Sequence, residues 1–173
     1  MPKRLFILGI LLGSALLLCA CQHLTGGAKA PAPTGITANA TVPSAPLSYL
    51  YFSESSSCFK RVQGYEYRME EDGPTAYFHM AHEEECYPVP VGQEWADTLN
   101  GFVIQYGMMG WDGFSGSANG LLDGTQFCME FTLADGTNVK AGGYGEFPDG
   151  YGSASKAIDE HFIQLLPQEM RDW

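Results

Sequence analysis

Positive charge is scarce in this chain, with nine Lys and Arg against twenty Asp and Glu and a formal charge of −11. Phosphate backbones are held by clustered cations, so nucleic acid is excluded as a partner. An anionic lipid headgroup is repelled for the same reason. The longest apolar run, residues 5–18, is about fourteen residues, short of the roughly twenty that a membrane-spanning helix needs. Cysteines number five and histidines four, too few for a disulfide framework or a histidine-rich metal tract. There is no internal repeat, and the length allows one domain with a modest core.

What is present begins with an export signal. Lys3 and Arg4 precede the apolar run, and the small residue Ala20 stands just before Cys21; cationic start, apolar stretch and small residue in that order make a secretory signal. Removing residues 1–20 takes away Lys3 and Arg4 and moves the charge from −11 to −13. Residues 22–46 are mostly Ala, Thr, Pro, Gly and Ser, with few large apolar residues and one cation, Lys29. Such a segment buries too little to offset its ordering entropy and reads as a spacer with a reach of about 25 to 30 Å.

Residues 47–173 read as one globular α+β domain: an antiparallel sheet of about five strands with two amphipathic helices packed on one face. Residues 47–52 form the first strand, broken by the polar cluster 53–57. Residues 59–69 and 75–87 are rich in β-formers and flank Glu70-Glu71-Asp72-Gly73-Pro74, which is turn chemistry. Trp95, Leu99, Phe102, Val103 and Tyr106 recur at helical spacing, and Gly107 is placed to end that helix. Phe127, Met129, Phe131 and Leu133 alternate with polar residues as a half-buried strand. For Val139 and Ala141 to join the same core, Phe131 must face Val139 and Met129 must face Ala141. That demands an odd loop with Gly136 at positive φ. Ala154, Ala157, Ile158, Phe162 and Leu165 give the second helix, closed by Pro167.

Leu18-Cys19-Ala20-Cys21 resembles the lipobox of bacterial lipoproteins. The resemblance implies that Cys21 is acylated and becomes the new N-terminus. Acyl chains would then attach the protein to a membrane, with the domain on the extracytoplasmic side of the cell envelope. Trp111-Asp112-Gly113-Phe114, Leu122-Asp123-Gly124-Thr125-Gln126-Phe127, Ala134-Asp135-Gly136-Thr137 and Phe147-Pro148-Asp149-Gly150-Tyr151 are similar to the C-terminal domain of small bacterial lipoproteins of uncharacterised function. The likeness spans most of residues 48–166 and implies domain bounds, not an activity.

Three cysteines stay in the domain, and export permits oxidation. If the first hairpin has a three- or five-residue loop, Cys58 falls opposite Cys86 and the two can bond; a bulge at Gly64 would spoil that register, leaving free thiols. Cys128 lies on the polar side of its strand, reachable or tucked under a neighbouring element. His79, His82, Glu83, Glu84, Glu85 and Cys86 are the ligand-rich stretch. His79 and His82 point to opposite strand faces, however, and no second ligand group stands elsewhere, so neither metal nor cofactor is expected. Asp112, Asp123 and Asp135 each precede Gly and read as turns, without calcium-loop spacing. Gly113-Phe114-Ser115-Gly116 lacks the spacing of a hydrolase elbow, and no catalytic set is assigned. Trp111, Tyr144, Phe147 and Tyr151 could form a stacking platform for a glycan or peptide, or could plug the open end of the sheet. The expectation is a non-enzymatic interaction module with a protein or glycan partner. The competing expectation is a small envelope hydrolase using His79 or His161 with a nearby Ser or Asp.

Overall fold

The computed structural model describes residues 42–56, 62–81, 83–121 and 123–171. The leader, Cys21, most of the tether, Cys58 and His82 lie outside the described residues. One sheet contains β1 (Leu47–Ser55), β2 (Val62–Glu70), β3 (Gly73–Met80), β4 (Tyr87–Pro90), β5 (Ser115–Ser117), β6 (Gln126–Leu133) and β7 (Asn138–Tyr144). Their order in space is β4-β3-β2-β1-β6-β7-β5, and every neighbouring pair is antiparallel except β5 with β7. The helices are α1 (Gln93–Gln105), α2 (Tyr151–Ile163) and the single turn α3 (Gln168–Arg171), with a 3₁₀ turn at Met108–Trp111.

The class is α+β as expected, but among the described residues seven strands replace five and three helices replace two. Each addition has a physical origin. The run 75–87 is rich in β-formers, yet the glutamates at 83–85 sit in an exposed turn where the Glu83 amide donates to the Met80 carbonyl (3.3 Å). The chain reverses there, and Tyr87–Pro90 returns along β3 as an edge strand. β5 is only Ser-Gly-Ser, and α3 is four residues beyond Pro167; neither is long enough to carry a period. The expected break at 53–57 comes later, because Ser53 and Ser55 pair with Cys128 and Gln126 of β6 and keep β1 extended.

β6 and β7 have the register the alternation demanded: Phe131 faces Val139 and Met129 faces Ala141. Leu133 and Thr137 close the loop, with the Leu133 amide donating to the Thr137 carbonyl at 2.8 Å, and Gly136 takes φ of +88°, a conformation that costs other L-residues a steric penalty. The β2–β3 hairpin differs from the odd loop considered. Glu70 pairs with Gly73, so the connection is two residues, and the ladder shifts register between Val62 and Gly64. Cys86 does not belong to that ladder at all, since it follows the reversal at 83–85.

Alternation sends Leu50, Phe52, Tyr65, Tyr67, Phe78, Phe127, Met129 and Phe131 to one side of the sheet, where all are buried. Leu47 joins them although it is three residues from Leu50, because the β1–β6 register shifts between Leu47 and Tyr49. Both long helices cover this side. Phe162 of α2 stacks on Tyr65 (4.9 Å) and meets Phe78 and Trp95 edge-on, while Ala96, Leu99 and Val103 of α1 are buried with them. Ordered contacts begin before Leu47: the Ala134 amide donates to the Pro46 carbonyl (2.8 Å), and the Ser44 hydroxyl donates to Asp135. The domain end of the expected spacer is therefore tied to the β6–β7 loop.

At the β4 edge the Val91 amide donates to the Pro74 carbonyl (3.0 Å). In the pleat, positions 87, 89 and 91 thus point their amides at β3, and positions 88 and 90 point outward. Both outward positions are proline and have no N–H to present.

Candidate functional site

Helices cover one side of the sheet. The other side carries Tyr49, Tyr51 and Ser53 from β1, Gly64, Glu66 and Arg68 from β2, Thr75, Tyr77 and His79 from β3, and Cys128 and Glu130 from β6. Glu66 is the one buried charged residue among them: it is only 4% exposed on a side that no described helix covers. A carboxylate is tolerated at such burial only when its oxygens are partnered. Arg68 Nε donates to Oε1 at 2.6 Å, and His79 Nε2 lies 2.9 Å from Oε2. The Arg68 guanidinium also sits 4.7 Å above the Tyr77 ring, and the Tyr77 hydroxyl donates to Glu70.

Register explains the assembly. Glu66 pairs with Tyr51 on one flank and Tyr77 on the other, and Gly64 pairs with Ser53 and His79. A Cβ at residue 64 would come within 3.3 Å of Phe52 O and Ser53 Cβ and 3.6 Å of the Tyr51 hydroxyl. Because glycine leaves that space clear, Tyr51 reaches across β2 to meet the His79 ring edge-on at 5.4 Å. Tyr77 pairs with Pro88 and Phe78 with Tyr87, and one step further along the same two strands His79 meets Cys86. The Cys86 sulfur lies 3.4 Å from Nδ1 and 3.7 Å from Nε2.

Thiol, imidazole and buried carboxylate are the three members of a nucleophilic relay by residue type. Their alignment is different. A sulfur in line with the Nδ1 lone pair would be far more distant from Nε2 than from Nδ1, whereas here the two distances are nearly equal. The sulfur therefore rests against the face of the imidazole. Burial, then the Glu66 charge, pushes the Cys86 thiol up, opposite to the electropositive setting of a reactive thiolate.

The expectation that no further ligand group stands elsewhere in the chain is corrected here: pairing of β2 with β3 brings Glu66 to His79. The ligand atoms of Glu66, His79 and Cys86 all lie within 4.8 Å of one another. Cys86 is a free thiol, and Cys58 lies outside the described residues. Cys128 is also free and is exposed on the uncovered side, facing Ser53 and Gly142, not under a neighbouring element.

The four rings expected as a platform do not stand together on the surface. Trp111 is 3% exposed, and its indole N–H donates to the Asp149 carbonyl at 3.0 Å. Tyr151 is 6% exposed, lies 4.5 Å from Phe127, and donates its hydroxyl to Glu54 at 2.7 Å. These two plug the end of the sheet under α2. Phe147 is exposed and stacks on Tyr151, and Tyr144 is half-buried at the end of β7. The depression around Phe147 and Gly150 is open and lined by 147–153; a second hollow, between Gly64, Tyr65, Ser155 and Asp159, holds about 20 Å³, room for one water.

His161 is a core group. It stacks on Trp95 at 4.2 Å, places Nε2 3.0 Å from the Trp95 carbonyl, and has Gln164 Nε2 3.2 Å from Nδ1. Both ring nitrogens are thereby occupied, and burial lowers its pKa. Asp135 acts locally as a turn residue, accepting from the Thr137 amide at 2.9 Å, whereas Asp112 accepts from the distant Lys140 amide of β7 at 3.2 Å. No protein-family model matches the chain, and no curated protein matches it closely enough to count as a relative.

Proposed function

We propose that the chain is an envelope lipoprotein, held to a membrane through acylated Cys21 and working on the extracytoplasmic side as an interaction module. Its contact surface is the uncovered side of the sheet. The observation that supports this most is the burial of Glu66 on a side without helices. Arg68, Tyr51, Tyr77 and His79 are fixed around that carboxylate, and groups so pre-organised lose little freedom on binding. The platform of Trp111, Tyr144, Phe147 and Tyr151 loses this role because two of its rings, Trp111 and Tyr151, are internal.

Charge favours a cationic protein partner over an anionic polymer. Residues 47–173 contain all twenty acidic residues and six of the nine basic ones, a balance of −14, which steers encounter with a positive surface. The hydrolase reading retains His79 alone, with a thiol that is not in line.

Two measurements test the proposal. Cys21→Ser should move the protein out of the membrane fraction; unchanged fractionation refutes the anchor. A photo-crosslinking residue at Thr75 or Lys140, on the uncovered side, should give a discrete protein adduct in cells, and one at Ile104 or Lys156, on the helices, should not. Adducts from the helices alone, or adducts to glycan, overturn the surface or the partner class.

A further inference from the structure

We propose that Glu66, His79 and Cys86 form a Zn²⁺ site, with Glu66 Oε2, His79 Nε2 and Cys86 Sγ as the protein ligands. The inference does not depend on the tether or on the partner proposed above. It starts from chemistry: one carboxylate, one imidazole and one thiol are the donor set that zinc accepts, and the thiol disfavours magnesium and calcium. Separations then bear on whether one ion can reach all three. Zinc with ligands at about 2.0 to 2.3 Å in a tetrahedron holds the donor atoms roughly 3.3 to 3.7 Å apart. Sγ is 3.7 Å from Nε2, and Oε2 is 2.9 Å from it. The second gap is shorter because a hydrogen bond now spans it and needs to open by a few tenths of an ångström.

Two features prepare the site. Arg68 holds Oε1 of Glu66 and so fixes the carboxylate while leaving Oε2 toward the imidazole, the kind of supporting contact that orients metal ligands. Cys86 lies outside the strands, between the exposed turn at 83–85 and β4, and binding requires its side chain to turn about Cα–Cβ from the face of the imidazole to its edge. On binding, the Cys86 thiol proton leaves to solvent, the imidazole proton passes from Nε2 to Nδ1, and the Nε2 lone pair takes the ion. Each Zn²⁺ therefore releases about one proton. The fourth position is left to water or to a group from a partner, as in sites with three protein ligands.

The test uses the full-length reduced protein titrated with Zn²⁺ alone, and with Co²⁺ as a spectroscopic probe. Expected are a 1:1 complex, release of about one proton, and a thiolate-to-cobalt charge-transfer band with tetrahedral visible absorption. Cys86→Ser should abolish the band. His79→Gln and Glu66→Gln should each weaken binding at least tenfold, with circular dichroism confirming that the variants fold. Cys128→Ser and His161→Gln should bind as the parent does. The proposal is overturned by absence of binding at micromolar ion, by binding that survives Cys86→Ser, by equal loss in Cys128→Ser, Cys58→Ser or His82→Gln, or by mass spectrometry showing Cys86 already bonded to Cys58 in the isolated chain.

Discussion

Replacing Trp111 with alanine separates a ring that recognises a ligand from one that holds the fold together. Trp111 is 3% exposed, lies 6.2 Å from the Tyr151 ring and donates to the Asp149 carbonyl at 3.0 Å. Truncating a buried tryptophan removes its transfer free energy and leaves a cavity, at about 3 to 5 kcal/mol. The orphaned Asp149 carbonyl adds roughly 1 kcal/mol if water does not reach it. Domains of this class have stabilities of about 5 to 15 kcal/mol, so the variant should lose about a fifth or more of the total. For a domain of about 130 residues, 1 kcal/mol moves Tm by roughly 3 to 5 °C, giving an expected drop of about 10 to 30 °C. Urea unfolding followed by circular dichroism measures it, with an unchanged m-value as the sign that stability alone moved. Phe147→Ala is the comparison, because that ring is 38% exposed and should cost about 1 kcal/mol or less. If Trp111→Ala stays within 1 kcal/mol of the parent, the assignment of Trp111 to the core is refuted.

Gly136→Ala forces a Cβ into φ of +88° and should cost about 1 to 2 kcal/mol; calorimetry showing no loss would mean that the β6–β7 loop can take another shape. His161 gives a pH dependence. Burial lowers its folded pKa below the unfolded value, so the unfolded chain binds the proton more readily, and its stabilising contribution is present above about pH 6.5 and lost as pH falls through the folded value. Denaturation at pH 7.5 and 5.5 should therefore show a smaller drop in His161→Gln than in the parent, and equal drops in both would remove His161 as a source.

The parts of the fold legible from sequence are those where one period acts alone. Phe127 to Leu133 alternate without interruption, Val139 and Ala141 continue the same side, and the loop length follows from that requirement. α1 is similar: its apolar positions repeat at helical spacing up to Gly107, which takes φ of +63° just past Tyr106. β3 and β4 were illegible as two strands because residue type does not mark where a β-rich run folds back; only the acidic turn at 83–85 hints at it. Trp111 and Tyr151 stay ambiguous in sequence since an aromatic ring suits a core and a binding surface equally.

The Glu66 cluster was out of reach for another reason. Tyr65-Glu66-Tyr67-Arg68 alternates as an ordinary half-exposed strand, and nothing local says that Glu66 is buried. Its partner His79 stands thirteen positions away, and the contact exists only in the register set by a two-residue turn. A one-residue longer turn would present His79 to a different neighbour. The signal available was the grouping of Glu66, Arg68 and His79 on one side of a hairpin, which becomes visible once the turn at Glu71-Asp72 is fixed.

Prolines at both outward positions of the β4 rim have a consequence for life in a crowd. Were copies held on a common surface, as the proposed anchor implies, a rim that offered a row of hydrogen-bond donors would let one molecule template the next into a growing ribbon. With Pro88 and Pro90 facing out, a neighbour arriving there finds two gaps where donors should be, which disfavours strand-to-strand pairing at this rim.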